Sequence, residues 1–320
     1  TQKTARKRYI FRNQPRRWPI GLSSTLLLIF TAFKLFIFRS TQLLPKQLES
    51  VEAYALRVFN SEILEYLISP ALQGIYAGDV KKMSASLILN SFLKKKKQNV
   101  RRGSFAPEQG MGEFIQKLKD YLQKNNVHFH QKEIENLNQV NGIKVLALPP
   151  SELAEIFDSN WSEVNSLDLL RVTISFESSA KKINGFGVLF PELEKFNSLG
   201  VLANTQIFHN RGTHYNESWI LGGAKAAHLL KLTDNEILQK IREDRKRVLK
   251  TEDQFKEYHI VRVPKALIHY DLILEEFLDK YNFNKDKDIY FTGNFLGKMG
   301  LSRILEQNVE LAEKLKEKYG

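Results

Sequence analysis

About a third of the way along this chain the spacing of apolar residues shifts from a helical to a strand period, and few architectures accommodate that order. Leu48, Val51, Ala55, Val58 and Phe59, then Ile63, Leu64 and Leu67, recur at intervals of three and four, which places them on one helix face. Pro70 is expected to end that run, and a further helix is expected over residues 83–93. Residues 20–104 therefore read as a mostly helical subdomain, preceded by a basic lead whose Arg8, Tyr9, Ile10 and Phe11 form a short strand closed by the turn formers Asn13 and Pro15.

Beyond Gly103 the pattern is mixed. Phe114, Ile115, Leu118, Tyr121 and Leu122 mark one helix face, residues 127–130 alternate as a strand, and residues 143–148 read as a buried strand stopped by Pro149 and Pro150. These are the parts of an α/β nucleotide-binding layer. Val172, Ile174 and Phe176 alternate against Thr173 and Ser175, as in a half-buried antiparallel strand. Shorter strands are expected at 187–190, 199–203, 219–222, 259–263 and 288–292. Thr233 and Glu236 make a capping box that opens a helix to about Leu249, and Ile304, Leu305, Val309, Ala312 and Leu315 mark a last one. The fold class is α/β (α+β): an interrupted α/β layer at 105–158 and 271–320, a mixed or antiparallel sheet domain at 159–270 whose sheet begins in residues 1–19, and the helical subdomain.

Composition removes several chemistries. There is no cysteine among the 320 residues, so disulfides, thiolate metal sites and cysteine nucleophiles are excluded, which suits a cytoplasmic location. The net charge of +12 favours acidic partners. It concentrates in residues 3–17, in Lys94, Lys95, Lys96 and Lys97 with Arg101 and Arg102, and along residues 240–250. Nucleic acid is not expected, because no aromatic residues interleave with the lysines; that run reads as a solvated loop or a phospholipid-facing patch. Residues 20–38 are nearly long enough to span a bilayer, but Ser23, Ser24, Thr25 and Lys34 interrupt them. A buried or interfacial helix pair is expected there, with peripheral membrane contact as the alternative. His128 and His130 share a strand face without a third ligand, so no metal site is expected.

Several motifs follow one another in a telling order: Pro70-Ala-Leu-Gln-Gly-Ile-Tyr-Ala-Gly-Asp79 with Met83-Ser84, Gly110-Met111, Val145-Leu-Ala-Leu-Pro-Pro150, Gly185-Phe-Gly-Val-Leu-Phe-Pro191, Leu199-Gly200, Leu221-Gly222-Gly223, residues 263–270, and Thr292-Gly293-Asn294. Each is common alone. Together they resemble the protoporphyrinogen oxidase-like group of the FAD-dependent amine oxidase superfamily over about 290 residues.

The resemblance implies oxidation of a porphyrinogen to a porphyrin with hydride transfer to FAD, so the cofactor carries the difficult chemistry and the protein orients and encloses the substrate. It puts Arg8 at the position that pairs with a substrate propionate, and Phe186, Leu189 and Leu202 around the macrocycle. It puts Gly293, Asn294, Gly300, Leu301 and Ile134 at the flavin. Taken singly, Arg8 is one of several basic residues near the start of the chain, and the three apolar residues would serve equally as strand core. The G-x-G-x-x-G loop that cradles a dinucleotide pyrophosphate is not among these residues. In the family it lies upstream of the strand that Arg8 begins, so about eighty to a hundred further residues, from an N-terminal segment or a homodimer partner, would have to supply it. The family's closing strand also has a glycine where Lys298 stands, and an Asp-Cys pair where Arg303 and Ile304 stand. Three readings remain beside the oxidase: a catalytically silent relative that binds a porphyrin-like or other apolar ligand, another amine oxidase-like flavoprotein, and, plainest, a membrane-peripheral scaffold without a small ligand.

Overall fold

The computed structural model describes residues 2–37, 41–93, 105–283 and 286–320. The lysine run expected as a solvated loop, with Arg101 and Arg102, lies outside them. In chain order the elements are β1 (Arg8–Arg12), β2 (Gln14–Arg16), α1 (Leu22–Ile37), α2 (Val51–Val58), α3 (Ser61–Ile63), α4 (Ser69–Tyr76), α5 (Ala85–Leu93) and α6 (Met111–Lys124). Then come β3 (Lys144–Leu146), α7 (Pro150–Ile156), β4 (Ser166–Phe176), β5 (Gly187–Leu189), β6 (Gly200–Leu202), α8 (Asn204–Ile207) and β7 (Tyr215–Gly222). The last are α9 (Asp234–Leu249), β8 (Phe255–Ile268), α10 (Leu272–Lys280), β9 (Ile289–Phe291) and α11 (Leu301–Tyr319).

Seven strands form one mixed sheet in the order β2-β1-β5-β6-β7-β4-β8. Its two faces differ because side chains alternate along each strand. One face carries Phe11, Val188, Phe190, Val201, Trp219, Leu221, Leu170, Val172 and Ile174, all buried against Ile237, Leu238 and Ile241 of α9. The capping box expected at Thr233 and Glu236 is formed and starts that helix. The opposite face is less fully covered. Two rows of paired residues run across it: Arg8, Gly187, Leu202, Ser218 and Thr173, and next to them Ile10, Leu189, Gly200, Ile220 and Arg171. Edge strand β8 presents Lys256, Glu257, His259 and Arg262 to solvent, charges that discourage pairing with another chain.

A second core gathers Tyr54, Ile88, Leu146, Leu153, Trp161, Tyr270, Leu274, Phe291 and Phe295 from the helical region and the α/β region. Here β3 and β9 pair in parallel, Val145 opposite Tyr290. Parallel strands ordinarily lie in larger sheets covered on both faces, yet Val145 is exposed. Amphipathic α6 and α11 contain no fully buried residue.

Three expectations need correction. Pro70 does not end a helix: a π-helical segment, Leu64–Ile68, precedes it and Pro70 enters in the first turn of α4, where its missing N–H costs little. Residues 127–130 form no strand, since no partner strand reaches them, and His128 and His130 are exposed with rings 6.5 Å apart. Among the described residues no group of side chains is suited to a metal ion. Residues 20–38, expected as a helix pair, give the single helix α1, and no helix among the described residues is long and apolar enough to cross a membrane.

Candidate functional site

The four residues expected around a substrate meet at the edge of the less covered sheet face. Arg8 stands opposite Gly187, which stands opposite Leu202, and the Arg8 guanidinium lies 4.5 Å above the centre of the Phe186 ring. The flanking glycines explain why. A Cβ on Gly185 would lie 2.6 Å from the Lys7 carbonyl oxygen, and one on Gly187 only 2.0 Å from that of Val201. Neither backbone can yield, so a side chain at either position would push β1 or β6 away and unseat Phe186 from Arg8. A cation over an aromatic face keeps its edge N–H groups open to an anion. Leu189 points towards α4 and fills the space over Gly74, its Cδ2 2.5 Å from where a Cβ would be.

Next to this edge is a polar cluster that the sequence reading passed over. The Asn204 amide donates to Asn216 Oδ1 at 2.8 Å and to Ser218 Oγ at 2.9 Å, and Ser218 lies 3.2 Å from Thr173 Oγ1. The alternation of Asn216 and Ser218 with Glu217 and Trp219 was the available signal, but Asn204 arrives from α8 and only the fold joins them. Arg171 adds an exposed cation to the neighbouring row.

The expected flavin residues lie at the other end of a contact path. From Gly74 the path follows α4 to Tyr76, whose ring is 5.3 Å from that of Tyr270, and the Tyr270 hydroxyl donates to the Asn294 carbonyl. Gly293 and Asn294 directly follow β9, while Gly300 and Leu301 open α11. Gly300 has φ +100° with open space where a Cβ would be, and no side chain caps the first turn of the helix. Ile134 is half-buried on the irregular stretch between α6 and β3.

Charge at this end differs from what a glycine and an Asp-Cys pair would give. Burial pushes the Tyr76 and Tyr270 phenols up, and the positive charge of Arg303 opposes it in both, so Arg303 acts on this pair of rings. Lys298 is turned to Glu310 at 3.3 Å. Behind Tyr270, buried His269 places Nδ1 3.0 Å from Asp271 Oδ2, which also accepts from Asn165 at 2.9 Å. Burial raises the Asp271 carboxyl, but the hydrogen bonds from His269, Asn165 and the Leu274 N–H outweigh it and hold the group below the usual carboxylate range. A cavity of about 210 Å³ lies between Ala77 and Gly78 on one side and Phe190 on the other, next to the candidate edge but not lined by Arg8.

Residues 9–298 match the profile of the family described as flavin containing amine oxidoreductase. The chain belongs to that family. Among curated relatives it is similar to chloroplastic protoporphyrinogen oxidase of Nicotiana tabacum, 22% identical over 85% of this chain and 62% of that protein. It is also similar to protoporphyrinogen oxidase 2 of Arabidopsis thaliana, 23% identical over 83% of this chain and 66% of the relative. The chain thus spans less than two thirds of either relative's length. The fold matches a crystal structure of an Exiguobacterium sp. 255-15 protein assigned as a protoporphyrinogen oxidase, with TM-score 0.65, 18% identity and coverage of 93% of this chain and 73% of that one. It also matches an engineered putrescine oxidase at TM-score 0.68 and 11% identity, covering 96% and 78%. FAD is the cofactor expected of a member of this amine oxidoreductase family. The residues present fit one flank of it: an uncapped helix start at Gly300 and glycine backbone at Gly293, next to buried aromatic rings.

Proposed function

We propose that this chain supplies the substrate face and one flank of the flavin site of an FAD-dependent oxidase acting on a porphyrinogen-like tetrapyrrole. When bound, FAD supplies the two-electron acceptor. The residues of this chain bind and orient: the Arg8 fork takes a propionate as a charge-assisted pair, Phe186, Leu189 and Leu202 form an apolar slot, and the path through Tyr76 and Tyr270 holds that slot against the flavin side. The observation that carries the reading is Arg8 stacked on Phe186 at the open edge of the sheet, in register with Leu202. A further polypeptide segment bearing the dinucleotide loop completes the site. Supporting this, β3 and β9 are a parallel pair with Val145 exposed, and no residue of α6 or α11 is fully buried.

Titration of the chain with protoporphyrin IX and with its dimethyl ester, followed by porphyrin fluorescence, tests the substrate face. Arg8→Gln is expected to weaken the diacid about tenfold or more, the worth of one charge-assisted pair, and to leave the diester unchanged. Equal effects on both ligands, or none, would sink the propionate assignment.

One observation favours the second reading, a relative that binds such a ligand without turnover: Arg303 acts on the buried Tyr76–Tyr270 pair, at a position where the resemblance implies an acid. Porphyrin binding with no flavin absorbance, even with a dinucleotide-binding unit fused upstream, would establish that reading over the first.

A further inference from the structure

The cavity of about 210 Å³ beside Ala77 and Gly78 is walled on one side by two phenylalanines whose ring faces are already taken. Phe190, directly after β5, and Phe196, in the turn before β6, stack on each other at 4.0 Å and 7°. Trp219 stacks on Phe190 with ring centres 5.9 Å apart, and the Arg247 guanidinium lies 3.8 Å above Phe196. The two rings therefore turn their edges to the cavity. An aromatic edge carries partial positive charge and prefers the face of a further ring.

The polar groups of the lining are committed, with one exception. Asn197 and Ser198 donate to Asp244. Lys225 is bridged to Glu192 at 2.5 Å and to Asp79 at 3.3 Å, so its charge is answered twice. Gln73 of α4 differs. It is 6% exposed and lines the cavity, and its side-chain amide has no hydrogen-bond partner among the described residues. A buried polar group left unpaired is costly. Another primary amide satisfies such a group at both ends, through two N–H···O bonds side by side.

We propose that this cavity binds a small uncharged aromatic carboxamide, its ring face against the edges of Phe190 and Phe196 and its amide paired with that of Gln73. Size supports this: an apolar cavity of about 150 Å³ holds benzene, so about 210 Å³ leaves room for one small substituent. Charge supports it as well. An anion would meet Glu192, a cation would meet Lys225, and neither finds a free counter-charge. Arg8 and Leu202 do not line this cavity, so the proposal is independent of which ligand the sheet face takes.

The test uses para-fluorobenzamide, para-fluorobenzoate and para-fluorobenzamidine, which place three charge states on one ring, with binding read from fluorine NMR line broadening. The amide is expected to bind with a Kd of about 1 mM or tighter, within reach of about ten non-hydrogen atoms. The anion and the cation are expected to bind at least about tenfold more weakly. Gln73→Leu keeps the apolar packing and removes both hydrogen bonds. It should weaken the amide about tenfold or more, with an unchanged melting profile. Gln73→Glu should invert the order, because a carboxylate takes the amidinium as a planar fork. That inversion decides the matter even if Gln73→Leu lowers stability. No binding of the amide at ten times the expected Kd, equal binding of all three ligands, or an order unmoved by both Gln73 variants would each overturn the proposal. So would loss of amide binding in Arg8→Gln, which would put the ligand in the slot on the sheet face.

Discussion

Replacing Arg245 by Met isolates what a buried cation contributes to the sheet domain. Arg245 is 2% exposed on α9, and its guanidinium lies 3.2 Å from Glu217 Oε2, 2.5 Å from Asp253, 2.7 Å from the Lys181 carbonyl and 4.0 Å above the Phe176 ring. Glu217, fully buried on β7, also accepts from Tyr215 at 2.9 Å and Trp219 at 3.0 Å. Met preserves most of the stem volume, so the loss is chiefly electrostatic. An inward carboxylate keeps two neutral donors and no counter-charge, a situation that costs about 3–5 kcal/mol. Adding Glu217→Gln removes the stranded charge while keeping an acceptor for one of the two donors. The double variant is therefore expected to recover most of the loss, ending about 1–2 kcal/mol below the parent. Urea midpoints at constant slope give the four corners of the cycle. A single-variant cost below about 1 kcal/mol, or costs that simply add in the double variant, would show that the charges do not compensate one another as argued.

Two further outcomes follow from close contacts and buried acids. Gly187→Ala places a methyl group 2.0 Å from the Val201 carbonyl oxygen. It should cost about 2–3 kcal/mol in thermal unfolding and weaken porphyrin binding as strongly as Arg8→Gln; full binding in a folded Gly187→Ala protein would contradict the site geometry. Asp271, whose carboxyl is held low in the folded chain, contributes stability that is fully present above its unfolded value of about 3.8 and is lost as pH falls through the lower folded value. Asp271→Asn should thus melt below the parent near neutral pH, and the two curves should converge below about pH 4. A gap that stays constant down to about pH 3 would refute this assignment.

Local chemistry made most elements legible. Alternation along 171–176 and the Thr233–Glu236 box survive into β4 and α9 because each rests on near neighbours. The substrate edge is legible only through resemblance, since Arg8 pairs in parallel with Gly187 more than half the chain away and no local period encodes that register. The same non-locality misled at 127–130, where alternation was present but no partner strand was. In α1 the composition was read correctly as apolar and interrupted. What composition could not show is that of those interruptions Ser24 is buried, with Thr31 on the same inward side, while Ser23 and Lys34 are exposed. Pro70 was misjudged because a π turn lets a proline open a new helix where the reading placed an end.

The contact between Leu189 and Gly74 makes one side chain both a wall of the slot and a spacer between the sheet and α4. Such a residue cannot drift freely. Shortening it to admit a bulkier ligand would also leave a void against the helix, and enlarging Gly74 alone would collide with it. Ligand range in this chain should therefore change by coupled steps at positions 74 and 189, a small residue gained at one being matched by a larger one at the other. Libraries that vary the two together should yield folded variants with altered ligand preference that single-site libraries miss.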